Sequence, residues 1–251
     1  MKLLLCLLFS FLPFMIQSQP MIYYCHKTDD SIIIDGKLSE NIWLIAPWTK
    51  TFSDITGNIK LEPKYGTRVK MVYNNDYLYI GAELSEPHIR ATLTKRDDII
   101  YNDNDFEIFI DPDGDGKLYY EIEINALNTI MDLLMTKPYF QGGKYLLSMN
   151  ISGLKSKVYI DGTLNDPRDI DNKWVVEMAI PLKELSETLY KRRKPKSGDI
   201  WRINFSRVHW DTIIKNGKYY KLNKPEYNWV WSPTGVVDIH RPDKWGYLFF
   251  K

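Results

Sequence analysis

The sequence predicts an all-β protein, built as a single antiparallel β-sandwich, on three observations. First, apolar and polar residues alternate with a period of two in several short runs, as they do in half-buried strands. Second, no segment keeps a helical period over four turns. Third, no fixed-length repeat and no Gly/Ser-rich linker divides the chain of 251 residues, so one domain is expected after the N-terminal segment.

The N-terminal segment has the composition of an export signal. A start with a single lysine leads into an apolar run at residues 3–16 and a short polar end, which predicts a signal peptide at residues 1–19 and a mature domain at residues 20–251. The apolar run is shorter than the ~20 residues of a membrane span, so no transmembrane segment is expected. The protein is therefore predicted to be periplasmic or secreted. Removal of Cys6 with the signal leaves Cys25 alone, without a partner for an internal disulfide.

The mature chain then reads as a succession of strands. An Ile-rich run at residues 31–34 is predicted to be the opening strand, followed by a turn at Asp35-Gly36 and a segment that buries Trp43. Residues 67–84 predict a hairpin around a polar turn. Further strand-like runs lie at residues 127–134, 145–159, 173–180 and 200–210 and at the C-terminal end.

The charge balance gives no reason to expect nucleic acid or an anionic membrane as partner. Lys and Arg number 33 against 32 Asp and Glu, for a net charge of +1. The basic run at residues 191–199 is interpreted as a solvated loop, with contact to an anionic glycan as the alternative. A neutral ligand fits this balance better.

The chain is organised around residues 101–128, which predict two strands joined by an Asp/Gly-rich loop. The apolar set that alternates along both strands is Phe106, Ile108, Ile110, Tyr120, Ile122 and Ile124. Because successive side chains of a strand point to opposite faces, burying this set places Glu107, Glu121 and Glu123 together on the other face. Three carboxylates in one patch repel one another unless water, a cation or a hydroxyl-rich ligand compensates them. This face is therefore the predicted functional surface.

Three interpretations of these carboxylates remain open: hydrogen bonding to a ligand, a catalytic acid and base pair for glycoside cleavage, and a solvated face. Tyr101 lies where its aromatic ring would cover a ligand held by these carboxylates. The alternative is a tyrosine at the rim that contacts no ligand. Familiar signatures such as GxSxG, the phosphate-binding loop and HExxH are missing from the sequence, and its four histidines are scattered.

The loop between the two strands predicts a calcium site. Asp111, Asp113 and Asp115 have the oxygen spacing of the first half of a calcium-binding loop. Ile122 stands where a complete loop of the EF-hand type needs a bidentate glutamate, so an acidic loop that stays solvated is the alternative.

Six motifs in order resemble the family 9 carbohydrate-binding modules, and more closely the family 9-like domains of exported bacterial proteins. They are IDGKLSENIW from Ile34, DNDFEIFIDPDGDG from Asp103, YYEIEINALNT from Tyr119, WVVEMAIP from Trp174, GDIWRINFSRV from Gly198, and WSPTG with HRPDKWGYL near the end. The resemblance covers nearly the whole mature chain. It implies a β-sandwich that binds sugars, often with bound calcium.

The resemblance also implies particular site residues. Glu107 matches a sugar-binding glutamate of the xylanase-linked modules, and Tyr101 stands at the first of their two sandwiching tryptophans. The chain departs elsewhere, because Glu123 falls where an arginine is expected and Ser206 where a glutamine is. The second tryptophan position reads Ile239, next to His240.

We therefore expect an exported protein that recognises an oligo- or polysaccharide and supports carbohydrate catabolism beside glycoside hydrolases. The expected aromatic plates are Tyr101 and His240, and the expected hydrogen-bond partners are Glu107, Glu121, Glu123, Asn204 and Ser206. One alternative is a glycan-active enzyme that uses the carboxylates of the central hairpin. A second is a haem-binding redox domain with a methionine ligand, for which Met71, Met131 and Met178 are available.

Overall fold

The computed structural model describes residues 20–57 and 62–251, and the predicted signal peptide at residues 1–19 lies outside them. The described strands are β1 (Ile22–Lys27), β2 (Ser53–Asp54), β3 (Thr67–Tyr73), β4 (Tyr77–Ser85), β5 (Asp105–Asp111), β6 (Tyr119–Asn125), β7 (Ile130–Met135), β8 (Tyr145–Leu146), β9 (Lys155–Asp161), β10 (Lys173–Pro181), β11 (Ile200–His209), β12 (Thr212–Lys215), β13 (Lys218–Lys221), β14 (Tyr227–Val230) and β15 (Gly246–Phe250). The helices are short: α1 (Asn41–Ile45) and α2 (Leu182–Leu185). No helix in these two described stretches is long and apolar enough to cross a bilayer.

Two sheets meet along β1. One has the order β8-β7-β6-β5-β11-β15-β1, and the other continues as β1-β3-β4-β10-β9. The first four residues of β1 pair with β15, while His26 and Lys27 pair with β3. Both pairings of β1 are parallel, whereas the remaining strand pairs are antiparallel. The shared strand lets the two sheets face each other, which confirms the predicted β-sandwich.

The core fills the space between the sheets. It takes alternate residues from strands of both sheets, including Phe106, Ile108 and Phe205 from one sheet and Met71 and Trp174 from the other, all of them 0–1% exposed. Each large apolar side chain of this kind contributes roughly 1.5 to 3 kcal/mol by leaving water. The alternation read from the sequence therefore assigned the inner faces of β5 and β6 correctly.

The opening of the domain differs from the prediction. Residues 31–34 form no strand, and the first strand is β1, nearer the N-terminus. Ile32 and Ile34 instead pack beside Trp43 in a small cluster on the outer side of the β3-β4-β10 sheet. The isoleucine run is therefore a loop: its side chains pack on the sheet, and the backbone N–H of Ile33 donates to Oε1 of Glu40 at 3.0 Å. The hairpin β12-β13 was not predicted either.

A buried carboxylate of β10 holds this opening loop in place. Glu177 is 0% exposed and accepts hydrogen bonds from the indole Nε1 of Trp43 at 2.8 Å and from the backbone N–H of Gly36 at 2.8 Å and of Asp35 at 2.9 Å. Gly36 has φ +89°, and a Cβ there would lie 2.9 Å from the backbone nitrogen of Tyr159. The predicted turn at Asp35-Gly36 and the predicted burial of Trp43 are confirmed, with Glu177 as the physical link.

The central hairpin β5-β6 is confirmed, with Glu107 opposite Glu123 in the register. Its outer face is not open as the alternation alone suggested. A second apolar cluster covers part of it, formed by Ile100, Phe109, Tyr119, Met131, Leu133, Met135 and Trp245. The carboxylates lie beside this cluster, at the bottom of a cleft.

Candidate functional site

The cleft lies on the outer face of β5, β6 and β7 and has a volume of about 440 Å³. Its walls come from residues before β5 and after β7, from the end of β11, and from residues within and on both sides of β14. Its lining residues are Ile99, Tyr101, Glu107, Glu121, Glu123, Met131, Leu133, Tyr139, Tyr145, Leu147, Val208, Glu226, Asn228, Ile239 and His240. The structure thus brings five of the predicted site residues into one cleft: Tyr101, Glu107, Glu121, Glu123 and His240.

Carboxylates form the cleft floor. Glu107 and Glu121 are each 5% exposed and Glu123 is 2% exposed. Asp105 lies on the same strand face two residues before Glu107, and carboxylate oxygens of Asp105, Glu107 and Glu123 lie within 4.8 Å of one another. Oδ2 of Asp105 and Oε2 of Glu121 are buried and make no hydrogen bond in the structure.

Burial raises the pKa of these carboxyl groups above the usual value of a carboxyl group in water. Loss of hydration raises the pKa of Glu107 to about 7 and that of Glu121 to about 8. Burial also raises the pKa of Asp105 and of Glu123 well above the usual range, and repulsion from Glu107 adds to both shifts. The carboxyl groups of the floor are therefore partly protonated near neutral pH, and a positively charged or hydrogen-donating ligand would stabilise their ionised form.

Tyr101 stands at the rim and is tied to the floor through its backbone. Its N–H donates to Oε2 of Glu123 at 2.9 Å, and its carbonyl oxygen accepts from the indole of Trp210 at 2.8 Å. The side chain is 45% exposed. These bonds hold the backbone that carries the ring at the rim, where the ring offers an apolar face to a ligand.

His240 lies in the cleft wall and is not an exposed plate. Its ring meets that of Tyr139 edge-on with 4.6 Å between centroids, and its Nδ1 is 2.9 Å from the hydroxyl of Tyr119. Burial lowers the pKa of His240 to about 4, so the imidazole is neutral at pH 7. Nε2 is 3.9 Å from Oε2 of Glu121, too far for a hydrogen bond.

Ser206 and Asn204 lie on β11, beside the floor and not in the cleft lining. Ser206 pairs with Glu107 in the register and is 1% exposed, and the nearness of its hydroxyl opposes the rise in the pKa of Glu107. Asn204 is 0% exposed. Its Oδ1 accepts from the backbone N–H of Phe205 and of Ser232, and its Nδ2 donates to the carbonyl oxygen of Ser232. These bonds hold β11 against the segment at Ser232, and direct contact of Asn204 with a ligand stays a prediction.

Four polar or aromatic lining residues were missed by the sequence reasoning: Tyr139, Tyr145, Glu226 and Asn228. Tyr139 and Tyr145 are 46% and 54% exposed and lie between β7 and β9, where the sequence predicted no site residue. Exposed tyrosines on either side of the Gly142-Gly143 turn are the signal that could have found them.

The acidic loop between β5 and β6 offers a second group of oxygens, outside the cleft. Carboxylate oxygens of Asp111, Asp113 and Asp115 lie within 4.8 Å of one another, with Asp111 buried and the other two exposed. Asp111 also accepts from the backbone N–H of Gly114 at 3.0 Å and of Gly116 at 2.9 Å. Burial raises the pKa of Asp111 to about 7, and repulsion from Asp113 contributes. This donor set fits a hard cation such as Ca²⁺.

The methionines considered as haem ligands occupy different places. Met71 and Met178 are 0% exposed in the core between the sheets, so neither sulfur faces a ligand site. Met131 is 6% exposed and lines the cleft.

Comparison with known families agrees with this fold. The model of the family described as "Carbohydrate family 9 binding domain-like" matches residues 34–211, well over half of the chain. The chain belongs to this family. No curated protein sequence matches it.

Solved structures of family 9 modules share the architecture. A module from Caldicellulosiruptor kristjanssonii in complex with cellotriose superposes with a TM-score of 0.59 at 16% identity, covering 91% of this chain and 93% of that one. The structure described as a family 9 module from the same organism in complex with glucose gives a TM-score of 0.59 at 17% identity, covering 91% and 95%. A protein from Bacteroides uniformis with a proposed carbohydrate-binding role gives 0.61 at 15% identity, covering 92% and 99%. At these identities the likeness establishes the fold.

Proposed function

We propose that this family 9 chain is an exported carbohydrate-binding protein that holds an oligo- or polysaccharide in the cleft above Glu107, Glu121 and Glu123. The observation that carries the proposal is the pairing of exposed tyrosine rings with buried carboxylates in one cleft. A sugar presents apolar C–H faces and hydroxyl donors, which suit aromatic rings and carboxylate oxygens respectively.

The family supports the same proposal. Two of the similar structures are described as complexes with cellotriose and with glucose, so the fold carries sugar sites in those proteins. The proposal that the protein is exported rests on the signal pattern at residues 1–19. The proposal that it acts together with glycoside hydrolases rests on the resemblance to exported family 9-like domains.

Binding is favoured over cleavage by the arrangement of the acids. Paired acid–base hydrolysis needs two carboxyl groups that flank the scissile bond. Glu107 and Glu123 instead lie side by side on neighbouring strands, with oxygens within 4.8 Å of each other. Such a pair forms one hydrogen-bonding surface beneath a ligand.

The test is a glycan array probed with the mature domain in the presence of calcium. The proposal predicts retention on at least one class of glycan and loss of that signal in a Tyr101→Ala Tyr139→Ala double variant. Tyr190→Ala is the matched control, since Tyr190 is fully exposed and lies outside the cleft lining. Absence of any retained glycan, or retention that the double variant leaves intact, would contradict the proposal.

A further inference from the structure

The cleft is lined by acidic groups, and no lysine or arginine lies among its described lining residues. Four of these residues are glutamates. The one histidine is neutral, since burial holds the pKa of His240 at about 4. A buried carboxylate without a cation beside it is costly to ionise, and three of these glutamates (Glu107, Glu121 and Glu123) are at most 5% exposed, so the cleft favours a ligand that brings positive charge.

One carboxylate oxygen of the cleft lining, Oε2 of Glu121, has no hydrogen-bond donor among the described residues. Oε2 of Glu121 is buried, makes no hydrogen bond and belongs to a cleft-lining side chain that is 95% buried, given its 5% exposure. Glu123, by contrast, has one oxygen satisfied by the Tyr101 N–H at 2.9 Å. Oε2 of Glu121 is thus a buried oxygen of the cleft lining that an ammonium group could approach as a hydrogen-bond donor.

The walls add a second kind of affinity for a cation. Tyr101, Tyr139 and Tyr145 line the cleft and are each about half exposed, at 45%, 46% and 54%. An ammonium group near the face of an aromatic ring is attracted by the ring quadrupole, and the attraction grows where water is excluded. Aromatic walls above an acidic floor therefore match a ligand with apolar faces and an ammonium group.

We propose that the preferred ligand of this cleft is an amino sugar with a free, protonated amine, with the ammonium seated against Glu121 and its neighbouring carboxylates. The inference rests on the proposed carbohydrate-binding function and specifies its ligand class. Among common sugars only those with a free amine carry positive charge, while uronic and sulfated sugars are anionic and are repelled. An ammonium group supplies three donors to a floor that consists of acceptors.

The experiment compares oligomers of equal length and linkage that differ at one substituent. Calorimetry at neutral pH would measure the binding of tetramers of glucosamine, N-acetylglucosamine and glucose to the mature domain. The glucosamine tetramer is expected to bind at least about tenfold more tightly than either neutral tetramer, as one charge-assisted hydrogen bond would give. Glu121→Gln is expected to remove most of this preference. Glu187→Gln, which changes an exposed acid outside the cleft, is expected to preserve it.

The outcomes separate the two proposals. Equal binding of the three tetramers, or a preference for a neutral one, would overturn the amino-sugar inference and leave carbohydrate binding standing. Failure of every sugar, here and on the array, would overturn the proposed function itself. Binding of Ca²⁺ alone that Glu107→Gln abolishes and Asp113→Asn does not would assign the floor to a metal ion and overturn the inference. Because the comparison of ligands uses the wild-type chain, it decides even if Glu121→Gln fails to fold.

Discussion

At the scale of single residues, the alternation of β5 and β6 was enough to predict the floor of the cleft. Glu107, Glu121 and Glu123 share a face because of strand geometry alone, so their grouping follows from sequence spacing. Their burial does not, since the residues around them, such as Tyr101 and Tyr139, come from segments that are separate in the sequence. Long-range packing of this kind leaves no periodic signal, which is why the carboxylates were predicted on an open face.

The raised pKa values predict a dependence of stability on pH. Glu107 and Glu121 bind protons more tightly in the folded chain, with pKa values of about 7 and 8 against a usual 4.5. Their contribution to the free energy of unfolding is therefore fully present below about pH 4.5 and is lost as pH rises through 7 and 8. We expect the unliganded protein to lose roughly 1 to 3 kcal/mol between about pH 5 and about pH 8.5 in urea titrations.

The matched variant for this prediction is Glu107→Gln, which removes one proton-binding group. Its loss of stability with rising pH should be clearly smaller than that of the wild type. The lowered pKa of His240 acts in the opposite direction at acid pH and is common to both proteins, so it cancels in the comparison. The same pH slope in both proteins would contradict the assignment of a raised pKa to Glu107.

A second prediction concerns the aromatic wall that the sequence did not reveal. Tyr139→Ala removes an exposed ring whose edge contact to His240 has a centroid distance of 4.6 Å. We expect sugar affinity to fall by roughly 1 kcal/mol or more, since the ring supplies a stacking face and orders the imidazole. Tyr190→Ala, measured by the same calorimetric titration, should bind like the wild type. Equal affinity in the Tyr139 variant would remove this ring from the site.

At the scale of elements, the motifs IDGKLSENIW and WVVEMAIP are explained by one contact set. Glu177 of β10 accepts from Trp43, Gly36 and Asp35, so the two segments that look unrelated in sequence depend on each other. The sequence predicted the turn and the buried indole but placed a strand at residues 31–34. An apolar run bounded by turn residues is equally compatible with a loop whose backbone bonds to a side chain, and only the fold distinguishes the two.

The contact set predicts the effect of Glu177→Gln. An amide keeps one acceptor oxygen but turns an NH₂ group toward donors, which leaves a buried donor unsatisfied. We expect a loss of roughly 1 to 3 kcal/mol in the free energy of unfolding, measured by urea denaturation, with sugar binding unchanged. Glu187→Gln, at an exposed position, serves as the control. Unchanged stability would show that the buried carboxylate does not hold the opening loop.

The loop between β5 and β6 predicts a calcium effect. If Asp111, Asp113 and Asp115 bind Ca²⁺ in the folded chain only, chelation should lower the melting temperature and millimolar calcium should restore it. An Asp113→Asn Asp115→Asn variant should be insensitive to both treatments. If the wild type melts at the same temperature with chelator and with calcium, the interpretation of a solvated loop without calcium stands.

At the scale of the whole molecule, the strands of the two sheets were largely predictable and their closure was not. Most strands carry their own alternation, but β1 joins the sheets by parallel pairing to β15 and β3, which are distant in the sequence. Its outward residues Ile22 and Tyr24 are themselves apolar and about half exposed, so the polar half of the alternation is missing. The cleft is likewise a product of the assembled molecule, since its walls come from residues before β5 and after β7, from the end of β11, and from residues within and on both sides of β14.

The central claim is that this cleft binds sugar through the carboxylates of the β5-β6 hairpin. It is tested most directly by calorimetric titration of the glycan that the array ranks first into wild type, Glu107→Gln and Lys191→Gln at about pH 8, above the pKa of Glu107 of about 7. Removing the charge at Glu107 should weaken binding by roughly 1.5 to 3 kcal/mol, while Lys191→Gln, in the exposed basic loop, should change it little. Equal affinity of wild type and Glu107→Gln would contradict the assignment of the site to this hairpin face.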